Sequence, residues 1–240
     1  MLHSTREYQM SRNMNTRRSL YIICLLLLSA VGNKLDAQTV VKSVRQANDS
    51  TNHALIHQIG FDVRPGYVAP TNSFLEGDNA QRQKIDRSLS LHLKYAFQFS
   101  KDSYLGRLYP HAYQGIGVSH NTFYNSAELG NPVAVYAFQG APIVRLSSCL
   151  SLDYEWNFGA SFGWKQYDEH SNWYNDAIGS KINAYINLGF VLNWQFYPQW
   201  KLAAGVDFTH FSNGNTRYPN GGLNTIGGRV GIVRTFNADD

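Results

Sequence analysis

Cysteine is nearly absent from this sequence: two in 240 residues, at positions 24 and 149. Cys24 lies inside an apolar run near the N-terminus, so a chain that loses that run keeps Cys149 alone. A single cysteine excludes an intramolecular disulfide and a cysteine zinc cluster. Further apolar residues follow Cys24, which speaks against lipidation there. Long apolar runs are equally scarce. "LYIICLLLLSAVG", Leu20 to Gly32, is the longest, and it falls short of the ~20 residues of a membrane-spanning helix. No His-Glu-x-x-His spacing occurs among the histidines, and "GIGV", Gly115 to Val118, lacks a phosphate-loop context. No metal and no cofactor are expected.

The apolar run has its own reading. Arg12, Arg17 and Arg18 precede it, and a polar stretch ending in "LDAQ" follows. Basic region, short apolar core and small residue at a cleavage point form the pattern of a secretory signal peptide. The expected organisation is a signal peptide over 1–37, a periplasmic N-terminal segment over 38–53 and one domain over 54–240. Residues 1–37 hold five basic and two acidic residues, so without them the formal charge falls from +4 to +1. The basic character belongs to the export signal and gives no reason to expect a nucleic-acid partner.

What the rest of the chain has is alternation. In "LSLDYEWNFGASFGW", Leu150, Leu152, Tyr154, Trp156, Phe158, Ala160, Phe162 and Trp164 fall on one face. Ser151, Asp153, Glu155 and Asn157 fall on the other. "KINAYINLGFVLNW" and "SLSLHLKYAFQF" repeat the pattern, and a period of two with this contrast argues strands with one apolar face. Alternation is compatible with a soluble barrel or with a membrane barrel whose apolar face meets lipid. The export signal, the strand lengths and aromatics near strand ends (Trp164, Trp194, Tyr197, Trp200) favour the second. Eight such segments are legible, roughly 54–69, 86–100, 111–124, 133–146, 150–166, 181–196, 200–212 and 226–236. The fold class is all-β, an eight-stranded antiparallel transmembrane β-barrel of the bacterial outer membrane, its lumen filled by side chains. Asp153 and Glu155 are expected to pair with Lys94 or Lys181 inside. His53, His57, His92, His111, His120 and His170 are expected to be mostly lumen or loop residues.

"THFSNGNTRYPNGGLN", Thr209 to Asn224, carries the candidate chemistry. His210 and Ser212 continue the face of Leu202, Ala204, Val206 and Phe208, so both point to lipid at the upper end of the seventh strand. Residues two apart on a strand point the same way, which lets an imidazole reach a hydroxyl. A plain hairpin loop also accounts for the Asn, Gly and Pro run. The chemical reading is a serine esterase: His210 takes the proton of Ser212, Ser212 attacks an ester, and Asn213 with backbone N–H groups near Gly214 holds the oxyanion. Asn224 shares the face of Ile226, Val230 and Ile232, which puts it beside His210. Polar groups on a lipid face suit a substrate in the same leaflet.

"HFSNGN" followed by "PNGGLN" on the seventh strand of an exported eight-strand barrel resembles the lipid A 3-O-deacylases of Gram-negative outer membranes. The broader family includes chains labelled acyloxyacyl hydrolases. The local resemblance is confined to the last two strands; the remainder is similar in architecture. It implies His210 as base, Ser212 as nucleophile and Asn213 as oxyanion donor, with lipid A or lipopolysaccharide of the outer leaflet as partner. Where the family carries a catalytic glutamate, this chain has Asn224. A homodimer is left open. The competing reading is a non-enzymatic outer-membrane barrel with a structural or partner-binding role.

Overall fold

The alternating segments form eight strands: β1 (Ile56–Val68), β2 (Arg87–Gln98), β3 (Tyr113–Thr122), β4 (Gly130–Arg145), β5 (Leu150–Trp164), β6 (Ile182–Tyr197), β7 (Trp200–Ser212) and β8 (Leu223–Phe236). The structure, a computed structural model, describes residues 55–236. The expected signal peptide over 1–37 and N-terminal segment over 38–53 lie outside the described residues. Each strand pairs antiparallel with its neighbours in sequence, and β1 closes on β8, giving one closed eight-stranded barrel. Among the described residues no helix is long and apolar enough to cross a membrane; the crossing is made by strands.

Period two sorts the side chains. Phe61, Leu93, Ile116, Phe158, Leu188 and Val230 stand exposed on the outer wall. A belt of this kind is what a barrel in hydrocarbon presents. Closure leaves no strand edge, so every strand's backbone groups find partners within the sheet.

The lumen holds charge. Arg229 donates to Glu155 (2.7 Å) and Asp207 (2.8 Å), and Arg64 donates to Asp62 (2.8 Å) and Asp207 (3.2 Å). Lys94 lies 2.9 Å from Asp62 and 3.1 Å from Glu155. All six are buried. Three acids against three bases leave no net charge, and each has at least two opposite partners, the condition under which buried ions are tolerated. One expectation is corrected here, and one is met and extended. Lys181 is exposed where β6 begins and meets neither Asp153 nor Glu155, while Asp153 accepts from Asn193 (2.9 Å). Glu155 does bind Lys94, but Arg64 and Arg229 share it, because closing the barrel brings β1 and β8 opposite β5.

The two ends differ. Connections 146–149 and 198–199 are tight; 99–112 is longer and carries the short helix α2 (Tyr104–Leu108), capped by the Ser103 hydroxyl, which accepts from the Gly106 N–H (2.9 Å). At the opposite end the connections 69–86, 123–129, 165–181 and 213–222 pack into a cap, the first around the short helix α1 (Ser73–Glu76). Phe74, Leu75, Leu129, Ile178 and Leu223 are almost wholly buried there, and Phe123 stacks on Trp164 with ring centroids 5.5 Å apart. The Asn172 and Asn175 amides both donate to the Glu128 carbonyl at 2.9 Å, tying two loops together. By the usual order of such barrels, the loop end is extracellular and the turn end periplasmic.

Candidate active site

Strand β7 ends at Ser212, and His210 and Ser212 leave the same outer face two residues apart. The His210 Nε2 lies 2.9 Å from the Ser212 Oγ. On the other side β8 runs antiparallel, with Asn224 in direct register with His210. Its Oδ1 sits 2.7 Å from His210 Nδ1. An amide oxygen only accepts, so in this arrangement Nδ1 carries the ring proton and donates to Asn224. That leaves a lone pair on Nε2 to accept from the serine hydroxyl. The series Asn224–His210–Ser212 therefore holds the tautomer in which the ring can take a proton from serine.

Both ring nitrogens are engaged, so no loop carboxylate shares His210. Asp168 is committed to its own turn, where the Ser171 hydroxyl, then the backbone N–H groups of Ser171 and His170, hold its carboxyl below the usual range. Glu169 sits 3.5 Å from the exposed His170 ring.

The oxyanion side differs from expectation. Strand alternation turns Asn213 away from the face of Ser212, and it is buried. Its Nδ2 donates to the Arg217 carbonyl (2.8 Å), and its backbone N–H donates to Asn220 Oδ1 (3.0 Å). The side chain thus shapes the 213–222 loop and is not aimed at the serine. Gly214 follows, exposed, with φ +65 and open space where a side chain would be. Asn220, quoted in sequence without a role, joins Asn213 to Asn215.

Gly222 escaped the sequence reading altogether. A Cβ on it would come 3.4 Å from His210 Cε1 and 3.8 Å from Ser212 Cβ, and its φ is +70. Its N–H donates to the Ala177 carbonyl (3.0 Å), and that of Gly221 to the Asp176 carbonyl (2.9 Å), so the 165–181 loop pins it against the ring. The "GGL" run was the available signal. On the opposite flank Ala184 of β6 pairs in register with Ser212, and Ala160 of β5 pairs with Ala184. The exposed Phe158, Phe162, Ile182 and Ile186 stand around these two alanines on the same outer face.

Among the described residues, three of the other histidines lie in the lumen or in connections as expected, and two point outward. His92 is buried in the lumen, and His111 and His170 lie in connections. His120 is exposed among outward residues of β3, and His57 bonds the outward Tyr95 hydroxyl (2.7 Å). His53 lies outside the described residues.

The family model described as lipid A 3-O-deacylase (PagL) matches residues 90–233, most of the barrel and all of the site. The chain belongs to that family. It is a lipid A deacylase-like enzyme of the bacterial outer membrane, and the apolar outer belt is the surface that meets the bilayer. No curated protein matches the chain. Similar solved structures include Neisserial surface protein A, at 7% identity over 76% of this chain and 99% of that one (TM-score 0.48). The outer membrane enzyme PagL is 13% identical over 72% and 97% of the two chains (TM-score 0.43). The N-terminal β-barrel domain of OprF from Pseudomonas aeruginosa is 10% identical over 78% and 100% (TM-score 0.42).

Proposed function

We propose that this protein is a serine esterase that removes an ester-linked acyl chain, 3-O-deacylase-like, from lipid A in the outer leaflet. The observation that carries the reading is the outward-facing, hydrogen-bonded series Asn224–His210–Ser212 at the extracellular end of the lipid face. Lipid A carries its esters where the sugar headgroup meets the acyl chains, which is the depth of Ser212.

His210 Nε2 takes the Ser212 hydroxyl proton as Oγ attacks the ester carbonyl carbon. The oxyanion so formed accepts from the Gly214 N–H, in the loop that Asn213 and Asn220 shape. Collapse breaks the bond to the sugar oxygen, which leaves with the proton now on Nε2. A water then gives its proton to Nε2, attacks the acyl-serine and releases the fatty acid and Ser212. Asn224 Oδ1 holds the Nδ1 proton throughout. The apolar outer face around Ala184 and Ala160 gives the departing acyl chain a surface continuous with the bilayer.

The uncharged third member is the one feature that favours the competing reading, a non-enzymatic barrel. One experiment separates the two. Mass spectrometry of lipid A from cells expressing the wild type should show species lacking one acyl chain, and cells expressing Ser212→Ala should not. Identical lipid A in the presence and absence of the wild-type protein would leave only the non-enzymatic reading.

A further inference from the structure

Among the described residues the barrel is a cup, capped at the extracellular end and open at the periplasmic one. Beneath the charge sextet lies a cavity of about 210 Å³ whose mouth is formed by the 146–149 turn and the 99–112 connection. That volume has room for several waters, so inorganic phosphate or a small carboxylic acid fits within it.

The sextet compensates itself; the groups below it do not. Lys201 projects inward from β7 and lines the cavity with no carboxylate in ion-pair contact among the described residues. Arg145, at the end of β4, donates from Nη1 to His111 Nε2 (2.9 Å) and from Nη2 to the Ser148 carbonyl (3.1 Å), neither of them an anion. Against these two cations stands one carboxylate, Asp153 of β5, which accepts from Asn193 through one oxygen while its other oxygen is buried without a partner. The two cations share a neighbourhood. His111 in the connection is held below its ordinary value first by burial, then by Arg145, then by Lys201, with Asp153 acting the other way. An uncompensated positive charge inside a low-dielectric wall focuses its field through the open mouth.

We propose that the periplasmic mouth of the lumen is a binding site for a small oxyanion, a phosphate or a carboxylate, held between the Lys201 ammonium and the Arg145 guanidinium. It lies at the opposite end of the barrel from Ser212 and is independent of the esterase chemistry. Its occupant comes from the periplasm, because the loop cap closes the other end.

The test uses the full-length protein folded in detergent, with inorganic phosphate and with acetate, against chloride at matched ionic strength. Two probes sit at the mouth: the His111 ring, followed by its NMR titration, and the exposed Cys149 thiol, followed by its rate of reaction with an anionic thiol reagent. A bound oxyanion should raise the His111 midpoint and slow Cys149 labelling, both saturably. Lys201→Met should weaken phosphate binding about 10-fold, the loss of one charge-assisted contact. Lys201→Gln serves if the methionine variant does not fold, and Ser212→Ala should bind as wild type does. A response to phosphate alone or to acetate alone assigns the site to that anion. No saturable response to either, or responses unchanged in both Lys201 variants, would overturn the proposal and leave a water-filled cavity.

Discussion

Asn224→Asp is the substitution with the most to say about mechanism. Aspartate is isosteric with asparagine, so a carboxylate oxygen would occupy the place of the amide oxygen 2.7 Å from His210 Nδ1. In buried protease triads the reverse exchange costs roughly 10⁴ in turnover, chiefly because the amide selects the wrong tautomer. Here the amide oxygen already faces Nδ1–H, so the tautomer is right and aspartate adds only charge. Two unit charges about 4 Å apart attract by ~4 kcal/mol at an effective dielectric of ~20. Both residues are partly exposed at the headgroup end of their strands, and screening there reduces that to about 1–2 kcal/mol. With tenfold in rate per 1.36 kcal/mol, turnover at the alkaline plateau should rise about 5- to 30-fold. The same carboxylate favours the charged ring in the resting enzyme, so the acid limb of the rate profile should move to higher pH. The gain is therefore full on the plateau and shrinks as pH falls through that limb. Ester hydrolysis in detergent, measured across pH for wild type and variant, tests both parts. A plateau rate that falls or stays level, with an unmoved acid limb, would refute the assignment of Asn224 as the third member.

Three further outcomes follow from the same geometry. Ser212→Ala and His210→Ala should each abolish most turnover while keeping the heat-dependent gel mobility of a folded barrel, and the double variant should be little worse than either single; independent, multiplying losses would contradict a shared proton-transfer step. Gly222→Ala places a Cβ 3.3 Å from the Phe211 carbonyl oxygen and 3.4 Å from His210 Cε1 at a backbone φ of +70; a left-handed non-glycine residue costs roughly 1–2 kcal/mol, and relief of that strain beside the ring should lower the rate about 10-fold with the fold intact. Unchanged kinetics there would remove Gly222 from the site. Arg229→Met leaves three buried acids against two bases, with Glu155 still held by Lys94 and Asp207 by Arg64, and the uncompensated charge should cost about 3–5 kcal/mol in guanidinium unfolding; a loss within experimental error would show that water reaches the sextet.

Much of the barrel was legible because its rule is local. In "LSLDYEWNFGASFGW" a single parity assigns the side chains of β5 from Leu150 to Phe162 to lipid or lumen. It fails at Gly163, whose φ is +86, so Trp164, expected on the outer face, turns inward and is buried against Phe123 of the cap. Strand ends were less so. β4 begins at Gly130, before the expected 133, because Gly130 pairs with Trp164 across a register shift. β8 begins at Leu223, before 226, because Leu223 pairs with Phe211 although "GGL" reads as loop. The His210–Ser212 contact followed from spacing alone. Parity put Asn224 on the right face, but only register puts it across from His210. The sextet was out of reach: it joins five strands, and apart from Asp62, two residues before Arg64 on the same face, nothing near Arg64 or Arg229 in sequence marks the carboxylates they meet. The loop cap was hidden for a related reason, since Phe74, Leu75 and Ile178 sit in polar surroundings in sequence and become apolar core only when three loops converge.

The barrel contains its own control for the claim that position makes the site. Ser90 and His92 of β2 are also two apart on one strand, with His92 Nε2 2.9 Å from Ser90 Oγ and His92 Nδ1 2.8 Å from the Tyr136 hydroxyl. The distances match those at His210 and Ser212, and here too the second nitrogen is held. The faces differ. His92 and Ser90 point into the lumen, where the cavity lined by Ser90 is about 20 Å³, space for one water. An acyl ester cannot enter, and the loop cap bars it from above. The lumenal pair is therefore a satisfied polar contact, and the outer pair, identical in spacing, has a bilayer of esters in front of it. Ser90→Ala should leave lipid A deacylation at the wild-type rate, changing only stability by the loss of one buried hydrogen bond, about 1 kcal/mol. If Ser90→Ala abolished deacylation in a barrel that still folds, while Ser212→Ala did not, the chemistry would belong inside the barrel and the outward placement of His210 would have no catalytic meaning.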